Sequence, residues 1–395
     1  MSQLARTLGM RDLVLLIIGT VIGSGIFLVP GTVLSQVNGQ VLPAMLVWVA
    51  GGTLSMLGAL TYGELSAANP RAGGLYVYIG DCFGPLAAFL YGWTLFFVIS
   101  SGSLAALAVA FSTYLNHVVP LTPALGKAVA VSMIGAVTIV NVRGTRQSAD
   151  LQNWMTGMKI GAVVLMSLVL VIAGRAATAS REAALSVAPE GSLVTGFGLA
   201  MIGVLWAYEG WQYATFSAGE TIDPQRTFPR AYLISLAALI GIYLLANVGY
   251  LAALGADGAS GTESIAASAV AVVAGPHAAG LVAMAILLSI FSAANGLTLT
   301  APRVYYAMAN DGLFFRRLGE VHPRFGTPAF AVVAGGTWSA VLALTGTFQQ
   351  LLTYVVFAGW LFYALGAATV FVYRRADPGA PRPYLLHGPG PFAGG

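Results

Sequence analysis

Long apolar stretches alternate with short polar segments along almost the whole chain. A helix that crosses a bilayer needs about 20 mainly apolar residues, and stretches of about that length recur throughout. We number them spans 1 to 10, at roughly residues 12–34, 42–66, 83–112, 125–141, 153–173, 194–218, 230–254, 277–308, 328–345 and 350–373. A further apolar stretch, 264–275, is too short to cross and predicts a helix within a loop. The pattern predicts an all-α integral membrane protein with ten transmembrane helices.

The composition excludes a large soluble domain. Of the 395 residues, 57% are hydrophobic and only 8% are charged, whereas soluble domains carry about 25% charged residues. So few charges cannot cover a water-exposed surface of this size. The N-terminal residues run into span 1 without a small-residue cleavage site, so we identify no removable signal peptide.

The positive charges fall mainly on one side of the predicted membrane. If the N-terminus is cytoplasmic, three of the 18 Lys and Arg residues lie outside (Lys127, Arg175 and Arg181) and Lys159 lies within a span. The other fourteen are cytoplasmic: Arg6, Arg11, Arg71, Arg143, Arg146, Arg226, Arg230, Arg303, Arg316, Arg317, Arg324, Arg374, Arg375 and Arg382. Because Lys and Arg are enriched in cytoplasmic loops, we predict a multi-pass protein of the plasma (inner) membrane with both termini in the cytoplasm. The net charge of +4 is therefore a topology signal and does not indicate nucleic-acid binding.

Span 1 contains an unusual density of glycine in GTVIGSGIF, residues 19–27. Glycine in a helix interior reduces helix stability by about 1 kcal/mol relative to alanine. So many glycines within one span therefore need a structural or functional explanation. One interpretation is close helix packing, since Gly19 and Gly23 have GxxxG spacing. The other is a broken helix whose free amides carry partial positive charge and bind an anionic group such as a carboxylate. The glycines alone leave both interpretations open.

The ten spans divide into two sets of five, which we place in one membrane domain: repeat one at about 12–173 and repeat two at about 194–373. Because five is odd, the second copy starts on the opposite side and must be inverted. Interrupted helices at corresponding positions of inverted repeats mark a binding site. The counterpart of span 1 is span 6, whose segment LWAYEGWQY places Glu209 about 22 Å along the helix. A charge at that depth indicates a functional residue, or a buried glutamate that neighbouring helices satisfy.

Motifs spread along the chain resemble those of one transporter family. They are GSGIF (23–27), YGELSAANPRAGGLYVY (62–78), GETIDPQRTFPRA (219–231), RVYYAMANDGLF (303–314) and VHPRFGTP (321–328). In this order the set resembles the amino acid–polyamine–organocation (APC) superfamily, nearest the L-type amino acid transporters and their bacterial relatives. The resemblance implies a LeuT-type 5+5 inverted-repeat fold, with helices 1 and 6 broken, and amino acid substrates.

The resemblance also implies a substrate site where the two breaks meet. Backbone N–H groups of residues 23–25 would bind the substrate carboxylate, and backbone carbonyls of span 6 would bind its ammonium group. Trp206 falls where the family has an aromatic gate, although a bare tryptophan is more often a packing residue. The predicted substrate-binding residues are Ile22, Gly23, Ser24, Gly25, Ile26, Trp206, Ala207, Tyr208 and Glu209.

Lys159 is a second charge within a span, about 9 Å from the cytoplasmic start of span 5. It could extend to the interface by snorkelling. In the resembled family, a lysine here stands where sodium-coupled relatives bind sodium, and it would join span 1 to span 8 with Ser289 and Ser292 as neighbours. We therefore predict sodium-independent transport. A lysine that stays charged would suit an exchanger or facilitator, and one that titrates would suit a proton symporter.

Substrate choice stays open because Glu209 allows two roles. It could accept the distal charge of a cationic amino acid, or pair with Tyr208 or Tyr213 and hold the broken region. The apolar neighbours slightly favour neutral substrates. At the end of span 6, Glu220 and its neighbours either cap the turn or form an inner gate with Arg143 or Arg146.

The sequence therefore predicts secondary active transport of amino acids by alternating access. A proton-coupled or cationic transporter and a non-transporting amino acid sensor remain alternatives. No catalytic motif such as HExxH is present, so we expect no enzyme, and we expect neither cofactor nor metal. The oligomeric state is not predicted. The cytoplasmic tail, 374–395, departs from the family pattern after its RPY motif, and we expect truncation before helices 11 and 12.

Overall fold

The computed structural model describes residues 6–116, 118–174, 192–262, 264–376 and 378. The predicted outer charges Arg175 and Arg181, and all of the predicted tail beyond Ala376 except Pro378, lie outside these described residues. We label the described α-helices α1 Met10–Val21, α2 Gly25–Gln36, α3 Val41–Ala68, α4 Leu75–Phe83, α5 Pro85–Thr94, α6 Ser101–Asn116, α7 Pro123–Arg143, α8 Thr145–Ala173, α9 Leu193–Ala207, α10 Pro224–Ala259, α11 Ile265–Ala274, α12 Pro276–Thr300, α13 Pro302–Asn310, α14 Ala329–Thr345 and α15 Phe348–Ala376. The predicted all-α fold is confirmed.

Three shorter helical segments complete the described architecture. A π-helical segment, Leu95–Ser100, joins α5 to α6, so that span 3 runs without a break. A 3₁₀ helix, Trp211–Glu220, follows α9 and completes span 6, and another, Arg316–Gly319, follows α13. Helix α11 is the predicted short loop helix. The 3₁₀ segment of span 6 is almost wholly buried and lies between the packed helices, whereas α9 has exposed side chains such as Val194.

Most of the predicted spans are helices long and apolar enough to cross a bilayer. In the described part of the chain, eight helical segments pass that test, and the pair α1 and α2 passes it together as a ninth. The remaining predicted span, 328–345, corresponds to α14, an apolar helix of 17 residues. Helix α14, the candidate for the tenth crossing, is therefore shorter than each of the eight segments that pass the test.

Span 1 is broken where the glycines predicted it. Helix α1 ends at Val21, α2 begins at Gly25, and the two helix axes are bent by 46° across the break. Gly25 allows the broken segment to lie against span 6, because a Cβ atom at this position would stand 2.5 Å from the Cα atom of Ala207. The two predicted breaks are therefore in direct backbone contact.

Span 6 changes its helical form at the predicted position. Helix α9 ends at Ala207, residues 208–210 form a turn, and the chain continues as the 3₁₀ helix from Trp211. Gly210 in this turn has φ of +128°, a backbone conformation that residues with a side chain rarely adopt. Glycine at this position allows the turn, and the turn takes backbone groups out of the regular helical hydrogen-bond pattern.

Both ends of the described chain lie at the same end of the helix bundle. Leu8 forms an isolated parallel bridge with Thr221, and the amides of Thr7 and Leu8 donate to the Glu220 carbonyl. Near the other terminus, the Arg374 guanidinium donates two hydrogen bonds to the Glu64 carboxylate, of 2.9 and 2.6 Å. Helix α4 follows α3 and contacts both the 3₁₀ segment and α15, which connects the two regions.

Candidate substrate site

The break in span 1 leaves a run of backbone donors without backbone acceptors. The amide of Ile22 still donates to Ile18, at 2.9 Å, and the next backbone bonds run from Phe27 and Leu28 to the Ser24 carbonyl, at 3.1 Å each. Among the described residues, no backbone acceptor is found for the four amides between them, of residues 23–26. These amides form the N-terminus of α2, where the helix dipole favours an anionic group. The arrangement suits a carboxylate, and the binding of a substrate carboxylate here stays a prediction.

A small cavity of about 30 Å³ lies beside this break. Five predicted site residues line it: Gly23, Ser24, Gly25, Trp206 and Glu209. Tyr213 of the 3₁₀ segment, predicted only as a possible partner of Glu209, lines it as well, and so does Ser103 of α6, which the sequence analysis did not name. The volume holds one or two water molecules, so an amino acid enters only if a lining side chain moves.

The other four predicted site residues are buried and are not among those that line the cavity in the described structure: Ile22, Ile26, Ala207 and Tyr208. Ile22 takes part through its carbonyl, as described below, and Tyr208 packs against Trp48 and Tyr243. Contact of these four residues with a substrate stays a prediction.

The span 6 carbonyls differ in how far they are already occupied. The Trp206 carbonyl accepts from the Glu209 amide at 3.0 Å, and the Ala207 carbonyl accepts from the Tyr243 hydroxyl at 2.8 Å. The same hydroxyl lies 3.2 Å from the Val21 carbonyl, so Tyr243 of α10 joins the two breaks. Within the described chain, no backbone donor reaches the Glu209 carbonyl. Among the predicted ammonium acceptors, the Glu209 carbonyl is therefore the one for which no hydrogen bond is found in the described chain.

Trp206 lies at the wall of the cavity. Its side chain lines the cavity and is only 6% exposed, and its ring makes an edge contact with Phe348, with 5.9 Å between ring centroids. Phe348 begins α15. The role of Trp206 as a gate stays a prediction.

The Glu209 carboxylate has one bound oxygen and one without a partner. Oε1 accepts from the Gln212 amide and from the Tyr363 hydroxyl of α15, and these two donors are themselves 2.7 Å apart. Oε2 is buried and has no hydrogen-bond partner among the described residues. The predicted alternative of a tyrosine partner is therefore correct in kind, but the tyrosine is Tyr363 and not Tyr208 or Tyr213. Tyr363 and Glu209 are 154 residues apart in the sequence, so local pattern analysis could not predict this contact.

Lys159 is buried at the break and does not snorkel to the interface. Its side chain is 3% exposed, and Nζ donates to the carbonyls of Gly19 at 2.6 Å, Ile22 at 2.7 Å and Ser289 at 3.4 Å. The lysine thus joins α1 to α12, as expected for spans 1 and 8. An ammonium group has three donors, and three carbonyl oxygens surround it here. The arrangement resembles the coordination of a cation by backbone oxygens.

The two serines predicted beside Lys159 have different surroundings. The Ser289 hydroxyl donates to the Ile22 carbonyl at 3.1 Å, so this residue contacts the break directly. The Ser292 hydroxyl instead donates to Oε1 of Gln152, at 3.4 Å, and no contact with Lys159 is found in the described structure. One turn of α12 carries Ser292 away from the lysine and into a polar network with Asn295. The predicted place of Ser292 beside Lys159 therefore stays a prediction, whereas Ser289 contacts the break.

A broken helix that presents free amides, packed against a second interrupted helix in an apolar bundle, defines the class of secondary transporters with inverted repeats. The chain belongs to the amino acid permease family, whose model, described as "Amino acid permease", matches residues 8–393. The family is one of membrane transporters and not of enzymes. The predicted resemblance to the APC superfamily is confirmed.

Individual relatives agree with this assignment. The chain is 31% identical to the human b(0,+)-type amino acid transporter 1, over 97% of this chain and 79% of that protein. It is 31% identical to the human large neutral amino acids transporter small subunit 2, over 97% and 72%. It is 28% identical to the serine/threonine exchanger SteT of Bacillus subtilis (strain 168), over 98% and 87%.

Comparison with a solved structure shows the fold. The structure of MhsT in complex with L-phenylalanine has a TM-score of 0.64 to this chain, covers 94% of this chain and 90% of that one, and is 14% identical. MhsT has the LeuT-type fold, so the predicted fold class is confirmed.

Proposed function

We propose that this chain is a sodium-independent secondary transporter of amino acids that works by alternating access, as an exchanger or a facilitator. The observation that carries the proposal is Lys159, whose amine is held by three carbonyl oxygens between α1 and α12. A fixed ammonium group there makes a mobile cation unnecessary. The free amides of α2 support binding of a substrate carboxylate.

The proposal includes the topology that the sequence predicted. The two repeats, 12–173 and 194–373, would each contribute one broken helix to the site, and ten crossings would leave both termini in the cytoplasm of a cell with the protein in its plasma (inner) membrane. An even number of crossings agrees with the position of both described ends at one end of the bundle. Helix α14 would then be the tenth crossing.

Uptake into proteoliposomes with sodium or with choline outside tests sodium independence. We expect equal uptake, and stimulation by amino acids preloaded inside if the protein exchanges. Lys159→Met should abolish uptake, because it leaves carbonyl oxygens at the break without a donor, at about 1–3 kcal/mol each. The matched control is Lys127→Met at the other, exposed lysine of the chain, which should transport normally. Uptake that needs sodium would contradict the proposal, and binding without flux would favour the sensor.

Neutral amino acids are the proposed substrates, supported by the apolar neighbours of the site and by relatives whose names state serine/threonine exchange and large neutral amino acids. A cationic substrate is the second candidate, because Oε2 of Glu209 is buried beside the cavity and has no hydrogen-bond partner among the described residues. This oxygen could accept a hydrogen bond from the side-chain cation of such a substrate.

Glu209→Gln separates the two candidates. The amide keeps the size of the side chain and removes its charge, so a charge-reading role predicts selective loss of lysine or arginine uptake while neutral uptake persists. A structural role predicts an equal loss for all substrates, because the contact with Tyr363 weakens in each case. The measurement is competitive uptake of one neutral and one cationic amino acid by the same vesicles.

A further inference from the structure

A second cavity, separate from the substrate cavity, is lined by Lys159. It has a volume of about 320 Å³ and lies between α8 and α12, bordered by α11 and by Phe27 of α2. It shares no lining residue with the substrate cavity. Its wall is formed by apolar side chains, and the polar residues among those that line it are Lys159 and Ser289. The cavity is large enough for part of a small-molecule ligand.

The mouth of this cavity continues the lipid-facing surface. Leu165 and Val169 of α8 line it and are 64% and 42% exposed. Both lie on a helix long and apolar enough to span a membrane, so their exposed faces meet acyl chains and not water. Water gains little in an apolar cavity, and such cavities stay dry or take up apolar molecules. The occupant that fits both the wall and the mouth is a hydrocarbon chain.

The inner end of the cavity lies against the residue that holds the broken helix. The protons of the Lys159 amine are directed at the carbonyls of Gly19, Ile22 and Ser289, so its aliphatic stem is the part left to line an apolar cavity. Phe27 lies two residues beyond the first residue of α2. An occupant would therefore contact both the lysine and the helix that carries the free amides.

We propose that the acyl chain of a bilayer lipid occupies this cavity and packs against the stem of Lys159 and the ring of Phe27. A hydrocarbon chain there fills apolar space and gains dispersion contacts with the cavity wall. It also excludes water from the lysine on the membrane side, which strengthens the hydrogen bonds of the amine to the broken helix. Lipid would in this way stabilise the arrangement that joins α1 to α12.

Photocrosslinking in proteoliposomes tests the site directly. The vesicles contain a phospholipid with a diazirine in its acyl chain, and labelled peptides are mapped by mass spectrometry. We expect labelling of α8 and α12 around the cavity in the wild type and its loss in Ala285→Trp, which fills the cavity. Leu168→Trp is the control, because Leu168 is exposed on the same surface and does not line the cavity. Equal labelling in all three proteins would overturn the proposal.

A thiol-accessibility measurement keeps the test valid if Ala285→Trp does not fold. Ala285→Cys is placed in a Cys82→Ser background, which removes the native thiol. A charged, membrane-impermeant thiosulfonate should not react with it, because a thiol among acyl chains stays protonated and only the thiolate is the nucleophile. The diazirine phospholipid should label the peptide that carries Cys at position 285, as it does in the wild type. Reaction with the charged reagent would mean a water-filled vestibule, and absence of lipid labelling would mean a closed, dry cavity. Either result would contradict occupancy by lipid.

Discussion

Single glycines determine whether the two broken helices can meet. A Cβ atom at position 25 would stand 2.5 Å from Cα and 2.7 Å from Cβ of Ala207, and the first of these atoms belongs to the backbone and cannot rotate away. Gly25→Ala should therefore push the breaks apart, at a cost of about 1–3 kcal/mol in unfolding free energy. We expect a lower melting temperature and loss of uptake.

The control for that substitution lies on span 6 itself. Gly198 of α9 has open space where its Cβ atom would be placed. Gly198→Ala should keep wild-type transport and should be at least as stable, because alanine favours helix. Thermal unfolding in detergent and uptake in vesicles are measured for both variants. Normal uptake by Gly25→Ala would show that the close approach of the breaks is dispensable.

The sequence predicted single residues best where local pattern and chemistry coincide. Glycine density marked the segment of span 1 that is broken, although it also allowed close helix packing. The place of Lys159 within an apolar stretch allowed burial or snorkelling, and the structure shows burial. The partners of charged residues could not be predicted, because they depend on packing between distant helices. Tyr363 and Glu209 are 154 residues apart, and Arg303 and Glu220 are 83 residues apart. Periodicity reports which face of a helix is apolar, not which helix it will meet.

At the scale of elements, the end of span 6 is held by contacts with span 8 and with the N-terminal segment. The Glu220 carboxylate and the Arg303 guanidinium form a buried ion pair of 3.3 Å, and their side chains are 4% and 3% exposed. The backbone of Thr7 and Leu8 adds hydrogen bonds to the Glu220 carbonyl. The prediction named Arg143 or Arg146 as the partner of Glu220. The partner found is Arg303, and the side chain of Arg146 lies outside the described residues. The inner gate itself stays a prediction.

Breaking this ion pair should open the terminus-bearing side of the substrate site. Removal of one partner of a buried pair costs about 3–5 kcal/mol, so Glu220→Gln should favour the conformation open toward the termini. The readout is the reactivity of a cysteine at Ser103, which lines the substrate cavity, in the Cys82→Ser background. We expect faster reaction with a soluble thiol reagent applied from the terminus-bearing side.

The exposed pair formed by Arg226 and Asp223 provides the matched comparison. Its atoms are 4.0 Å apart and both side chains are more than half exposed, so it contributes about 0–1 kcal/mol. Arg226→Gln should leave the reactivity of the cavity cysteine unchanged. If Glu220→Gln behaves like Arg226→Gln, the buried pair is a structural contact and not a gate.

The whole molecule raises the question of how many times the chain crosses the membrane. Helix α14 has 17 residues, about 25 Å at 1.5 Å per residue, which is close to the hydrocarbon thickness of about 30 Å. The positions of the chain ends bear on the number of crossings, because Leu8 contacts Thr221 while Arg374 contacts Glu64 at the same end of the bundle. An odd number of crossings would place these contacts on opposite sides.

Reporter fusions measure on which side of the membrane each loop lies. Fusions after Asn310 and after Ala376 enclose α14 and α15, so they report the same side only if both helices cross or neither does. The excess of Lys and Arg predicts that this side is cytoplasmic, where green fluorescent protein folds and alkaline phosphatase stays inactive. A fusion after Val119, between spans 3 and 4, should give the opposite result. Opposite signals after Asn310 and Ala376 would remove α14 from the count, and the 5+5 repeat would then require a different boundary.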